Sequence, residues 1–108
     1  MQSQKRYQPV FSCEFFPPKT EEGIATLRAT RQRLAALKPR FFSVTYGAGG
    51  STRDRTFETV LEIQRECAIE TAPHLSCIGT TRESIRELLE RYRAEGIRRI
   101  VALRGDLP

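Results

Sequence analysis

Residues 80–103 read TTRESIRELLERYRAEGIRRIVAL, a helix with both ends marked, followed by a short apolar run. Thr80 and Glu83 have the spacing of a capping box, in which a hydroxyl and a carboxylate each accept a backbone N–H at a helix start. Ile85, Leu88, Leu89 and Tyr92 recur at steps of three and four, which gathers them into one apolar stripe. Gly96 suits the left-handed residue that closes a helix, because it carries no Cβ to clash there. Residues 98–103 then supply an apolar segment of strand length, so the stretch reads as a helix delivering into a strand.

The same unit repeats upstream. Apolar runs at 10–16, 40–46, 69–78 and 98–103 begin about every 30 residues, the length of a strand, a crossover helix and a return strand. Between them, residues 21–38 place Ile24, Leu27, Leu34 and Leu37 on one face, with Thr20 as N-cap and Pro39 as the stop. Residues 53–67 gather Phe57, Val60, Leu61 and Ile63 behind a cap at Ser51 or Thr52. Strands joined in this way run parallel with right-handed crossovers, so the fold class is α/β. Two architectures share this opening: an open doubly wound sheet, and a β/α barrel of the TIM type, of which βαβαβαβ is about the first half. The Gly47-Ala48-Gly49-Gly50 turn stands where a dinucleotide fingerprint would, but Thr52 occupies the place of its third glycine and the pattern fails.

With 108 residues, 39% of them hydrophobic and 29% charged, the chain has the make-up of one globular unit with one core. That unit is residues 1–108, with residues 1–8 a polar and flexible N-terminus. No apolar run approaches the roughly 18 residues of a membrane span, and no signal peptide precedes the first strand, so a cytoplasmic location and no membrane partner are expected. The formal charge of +5 comes from arginines scattered among glutamates along the helices, without interleaved aromatics. They read as a solvated face, and no nucleic-acid partner is expected. Cys13, Cys67 and Cys77 form no Cys-x-x-Cys pair, which argues against a disulfide framework and against a metal site. Cys13 and Cys77 lie in apolar runs and read as small buried packing residues.

Chemistry gathers where the strands end. Glu14, Thr45, His74 and Asp106 each fall at or just beyond the carboxyl end of a different strand, the active-site rim of a β/α barrel. Along the first strand, alternation sends Phe11, Cys13 and Phe15 to one face and Ser12, Glu14 and Phe16 to the other. A carboxyl group in such a strand is expected to be partly desolvated, which favours the protonated form that a general acid needs. Each residue also has a plainer reading. Glu14 could answer an arginine or a backbone amide; His74, the sole histidine, could be a hydrogen-bonded structural residue; Asp106 could cap a turn; Thr45 could be an ordinary β-branched strand residue.

The segment Glu14-Phe15-Phe16-Pro17-Pro18, with Cys13 in the place of a Phe, resembles the opening Phe-Glu-Phe-Phe-Pro-Pro signature of the methylenetetrahydrofolate reductases. Ser43-Val44-Thr45-Tyr46-Gly47-Ala48, Ala72-Pro73-His74-Leu75 and the stretch from Val101 to Pro108 resemble three further segments of that family, in the family's order. The resemblance implies the barrel rather than the open sheet, and an FAD-dependent enzyme that takes electrons from NADH or NADPH and reduces 5,10-methylenetetrahydrofolate to 5-methyltetrahydrofolate. It implies that Glu14 is the general acid, protonating the folate so that its five-membered ring opens to an iminium carbon, which then receives hydride. Tyr46, Ala48, His74, Arg104, Gly105 and Asp106 match flavin-contacting positions, and Thr45 one between flavin and nicotinamide. Asp106 also matches an acid near the pterin, which with Glu14 makes up the substrate contacts. A homo-oligomer is expected. Because the family barrel has four more strands, activity is expected only of the full-length parent. The alternatives are an inactive half-barrel that self-associates as a structural assembly, and another flavin-dependent barrel oxidoreductase such as a proline dehydrogenase.

Overall fold

The computed structural model describes residues 2–46 and 50–105. Its elements are α1 (Gln2–Arg6), β1 (Ser12–Phe15), α2 (Glu21–Ala35), β2 (Phe41–Val44), α3 (Gly50–Cys67), β3 (Thr71–Ser76), α4 (Arg82–Ala94) and β4 (Val101–Leu103). The alternation of strand and helix expected from the 30-residue spacing is therefore present, and the polar N-terminus forms one helical turn.

The four strands are parallel and lie in the order β1-β2-β3-β4. One parity of each strand supplies Phe15, Phe42, Val44 and Leu75 to the core. There they meet Val60 and Ile63 of α3, Leu88 and Tyr92 of α4, and the partly buried Leu27 and Leu34 of α2. All three long helices thus pack on the same face of the sheet. A doubly wound sheet needs helices on both faces and a reversal of strand order, and among the described residues neither occurs. Phe15 and Phe42 anchor the centre edge to face, with ring centroids 5.0 Å apart.

Helix ends follow local chemistry, with instructive shifts. Thr20 accepts from the Gly23 N–H at 3.0 Å, as its position predicts. The helix it starts ends at Ala35, short of the expected residue 38, and Leu37 is exposed. Lys38, just after the helix, takes the left-handed φ of 56° that commonly closes a helix, and Pro39 follows as the stop. The helix expected over 53–67 behind Ser51 or Thr52 begins earlier, at Gly50. The cap of α4 is Thr81 and not Thr80: its hydroxyl accepts from the Ser84 N–H at 3.0 Å. Thr80 is taken up by the preceding turn, where its hydroxyl donates to the Cys77 carbonyl beside Gly79 at φ 69°. Gly96 closes α4 at φ 82°, the left-handed geometry expected of it.

Three side chains depart from expectation in burial. Arg31 lies on the inner stripe of α2 between Leu27 and Leu34 and is only 1% exposed, so the arginines are not uniformly a solvated face. Its guanidinium donates to Glu62 at 3.1 Å and to Glu66, and Arg28 reaches the same Glu62 carboxylate at 2.6 Å. Burial alone would raise the Glu62 carboxyl, but the hydrogen bonds from Arg28 and Arg31 hold it below the usual glutamate value. Cys77 is exposed, contrary to its expected packing role, while Cys13 and Cys67 are half-buried. Burial pushes the Cys67 thiol up, which keeps it protonated and inert at neutral pH.

Candidate functional site

The sheet face away from the helices carries the candidate residues Glu14 and His74. Strand register puts Glu14 beside Ser43 and Ser43 beside Ala72, so these three share a row, with His74 two residues further along β3 on the same face. The Glu14 carboxylate and His74 Nε2 stand 2.9 Å apart. They meet from β1 and β3, across the intervening β2. The approach is close without being aligned as a hydrogen bond, so the buried Nε2 has no hydrogen-bond partner among the described residues. When the ring is protonated the contact is an ion pair.

Desolvation of Glu14, expected from strand alternation, is not found: its side chain is 55% exposed, whereas His74 is 11% exposed. The reason lies in the layers. Helices cover the other parity of the sheet, while on this face no second layer covers Ser12, Glu14 and the flanking Phe16. Ser43 is nonetheless 4% exposed and Ala72 fully buried on this open face.

Thr45 and Tyr46 follow β2 directly and are half-buried. The Thr45 N–H donates to the Phe15 carbonyl at 2.9 Å, extending the β1–β2 ladder by one bond. Its own carbonyl accepts from the hydroxyl of Thr56 at 2.9 Å. Thr56, fully buried on α3, is a residue that the sequence reading passed over. The signal was there: it stands one helical turn before Val60 on the inner stripe, where a hydroxyl must find a partner.

Beyond β4, Arg104 is exposed and Gly105 has φ 88°. A Cβ on Gly105 would stand 2.5 Å from Ser76 Oγ and 2.9 Å from Ile78 Cγ2, so the backbone passes the end of β3 at a distance only glycine permits. Ala48 and Asp106, with Gly47 and Gly49 of the glycine-rich turn, lie outside the described residues. The structure therefore brings Glu14 and His74 into contact, sets Thr45 and Tyr46 at the end of the strand between them, and places Arg104 and Gly105 after the fourth strand. A groove of about 610 Å3 lined by Gln64, Ala68, Ile69, Glu70, Gly96 and Arg98 opens at the other end of the sheet, where β3 and β4 begin. Among the described residues no cluster of three metal-binding side chains occurs, and no helix is long and apolar enough to cross a membrane.

A parallel sheet wound in one direction, with an acid and an imidazole meeting on its uncovered face, defines an α/β protein. The family model for Methylenetetrahydrofolate reductase matches residues 1–108. The chain belongs to that family. It is 52% identical over 97 residues to the 5,10-methylenetetrahydrofolate reductase of Pectobacterium carotovorum subsp. carotovorum, covering 90% of this chain and 33% of that relative. Identity to the enzyme of the same name in Escherichia coli K12 is 50% over the same length and with the same coverage. Methylenetetrahydrofolate reductase (NADH) 1 of Arabidopsis thaliana is 46% identical over 101 residues, covering 94% of this chain and 17% of that relative. The chain thus spans about a third of the length of the bacterial relatives it matches.

Proposed function

We propose that this chain is the opening part of a TIM-type barrel that reduces 5,10-methylenetetrahydrofolate to 5-methyltetrahydrofolate, with FAD as cofactor and NADH or NADPH as donor. The observation that carries the proposal is the meeting of Glu14 and His74 at the carboxyl end of a sheet wound in one direction. Family membership supplies the reaction, and the position of the pair fits it. β1 and β4 each have one neighbour in the sheet, so further strands can add at both edges until the sheet closes. The whole activity belongs to a chain of the relatives' length, working in the cytoplasm as a homo-oligomer.

The residues present suit a flavin. The exposed Phe16, Ile78 and Leu103 offer apolar surface at the end of the sheet where His74 stands, and the backbone at Gly105 runs where a Cβ would clash. Tyr46, Ala48, His74, Arg104, Gly105 and Asp106 would hold the group, with Thr45 between it and the nicotinamide. When bound, the flavin supplies hydride transfer from the nicotinamide to the folate carbon. Glu14 does the proton chemistry: its carboxyl proton passes to the folate nitrogen, the C–N bond of the five-membered ring breaks towards that nitrogen, and an iminium carbon is left to accept hydride. Asp106 adds negative charge beside the pterin. Arg104, exposed after β4, is free to meet anionic groups of the cofactor.

Glu14→Gln tests the assignment, since the amide keeps the shape and cannot give up a proton. In the flavin-loaded enzyme, reduction by the nicotinamide should proceed while transfer to the folate falls by about 10²- to 10⁴-fold, the range of a lost general acid. An equal fall in both half-reactions, followed by stopped-flow flavin absorbance, would remove Glu14 from the acid role.

A further inference from the structure

We propose that His74 is the positioning residue for Glu14, its imidazole clamping the carboxylate across β2 above the small residue Ser43. The inference rests on the acid role given to Glu14 above and adds what holds that acid in place. β1 and β3 are not neighbours; at about 4.8 Å per strand spacing their backbones run roughly 10 Å apart. A glutamate and a histidine span that gap only by reaching toward each other over whatever residue of β2 lies between. Register identifies it: Ser43 shares the row of Glu14, and Val44 pairs with Pro73, so His74 lies in the next row beside Thr45 and the bridge crosses β2 diagonally between Ser43 and Thr45.

A small side chain is therefore required beside Glu14 on β2, and Ser43 and its row neighbour Ala72 are both small. They are also 4% and 0% exposed on a face that helices do not cover. A leucine at position 43 would fill the space through which the two partners meet. The 2.9 Å approach becomes an aligned hydrogen bond with a turn about the terminal torsion of Glu14, which is broad and costs little. Without the clamp an acid that is 55% exposed has no other fixed partner among the described residues and samples several rotamers. With it, one carboxylate oxygen faces His74 and the other is left for the substrate. The pair forms from the first three strands alone, so the acid is oriented before cofactor or substrate arrives, which lowers the ordering cost of the reactive geometry.

Two measurements test this. His74 is the sole histidine of residues 1–108, so in the chain of the relatives' length ring 15N labelling, with the His74 signal assigned by its loss in His74→Gln, reports on this side chain. A resolved Nε2-bound proton, slow to exchange with water, is expected in the natural sequence and in Glu14→Gln, whose amide oxygen can accept the same bond. It should vanish in Glu14→Ala and in Ser43→Leu. Its absence from the natural sequence, or its survival in Glu14→Ala, overturns the proposal. In the flavin-loaded chain of the relatives' length, the rate of flavin reoxidation by the folate is compared for Glu14→Gln, His74→Ala and the double variant. His74→Ala should slow this step by roughly 10- to 100-fold, the effect of misplacing a reacting group by about 1 Å, and His74→Gln should restore part of the rate. The double variant should be no slower than Glu14→Gln alone, because no acid proton is left to position. A double variant slower by the full His74→Ala factor means that His74 acts independently of Glu14 and also overturns the proposal. If Glu14→Gln by itself leaves reoxidation unchanged, the general-acid assignment fails instead, and the ring-proton measurement still decides whether the clamp exists.

Discussion

The two faces of the sheet do different work. On the helix side, Phe15, Phe42, Val44 and Leu75 are sealed against three helices and exclude water, and that burial is where the stability of the fold resides. On the other side, Glu14, Ser43, Thr45 and His74 stand on a face without a covering layer, and two of them form a bridge rather than a packed core. Adjacent residues of one strand therefore carry separate tasks: Phe15 holds the fold, and Glu14 one residue earlier faces the proposed chemistry. A period of two in the strand lets stability and reactivity be altered independently.

That separation can be broken most strongly at Phe42, which is fully buried at the centre of the sheet. Phe42→Ala should cost about 3–5 kcal/mol, the usual loss for a buried phenylalanine, and urea denaturation followed by circular dichroism would show the midpoint fall or the transition disappear. The Arg31 clasp between α2 and α3 comes next. Neutralising both acids, Glu62→Gln with Glu66→Gln, strands a guanidinium that is 1% exposed and should cost roughly 3 kcal/mol. Arg31→Met should be far milder, since the two glutamates it leaves behind reach water. Equal losses in the two variants would mean that the charge of Arg31 is not what matters.

Acid probes the same clasp. The Glu62 carboxyl is held below its usual value of 4.5, so its contribution is present above that pH and lost as pH falls through the lower, folded value. An acid titration of stability should therefore steepen below about pH 4.5, and the added slope should be missing in Glu62→Gln.

Gly105→Ala sharpens the view of the rim. Left-handed strain and the close approach to Ser76 together should cost about 1–3 kcal/mol, read as a lowered thermal midpoint. The smallest effect is expected on the open face. Glu14→Gln should move stability by less than about 0.5 kcal/mol, as for other exposed positions, even though it is the variant that removes the proposed chemistry. A large loss in that variant would show that the bridge to His74 supports the fold and would dissolve the contrast between the faces.

Much of this was legible in the sequence because it depends on near neighbours along the chain. Thr20, Gly96 and the inner stripe of Phe57, Val60, Leu61 and Ile63 were placed from spacing alone, since caps and helical faces are set within a few residues. Two adjacent threonines at 80 and 81 were not separable in this way: which of them caps α4 was decided by the turn at Gly79, which claims the first. The exposure of Leu37 and Leu89 was likewise hidden, because periodicity says which residues share a face and not how far a neighbour extends over it.

The amino-acid order by itself determined a parallel α/β fold, the ends of most of its elements, and the arrival of Glu14 and Thr45 at the carboxyl ends of β1 and β2, whereas His74 stands two residues before the end of β3. Only the tertiary structure decided that Arg31 is buried between two glutamates, that Thr56 ties down the end of β2, that Glu14 stands half in water, and that it meets His74 over Ser43. These depend on strand order, register and what lies on top of each face, quantities fixed by contacts between residues some 10 to 60 positions apart, which local patterning does not encode.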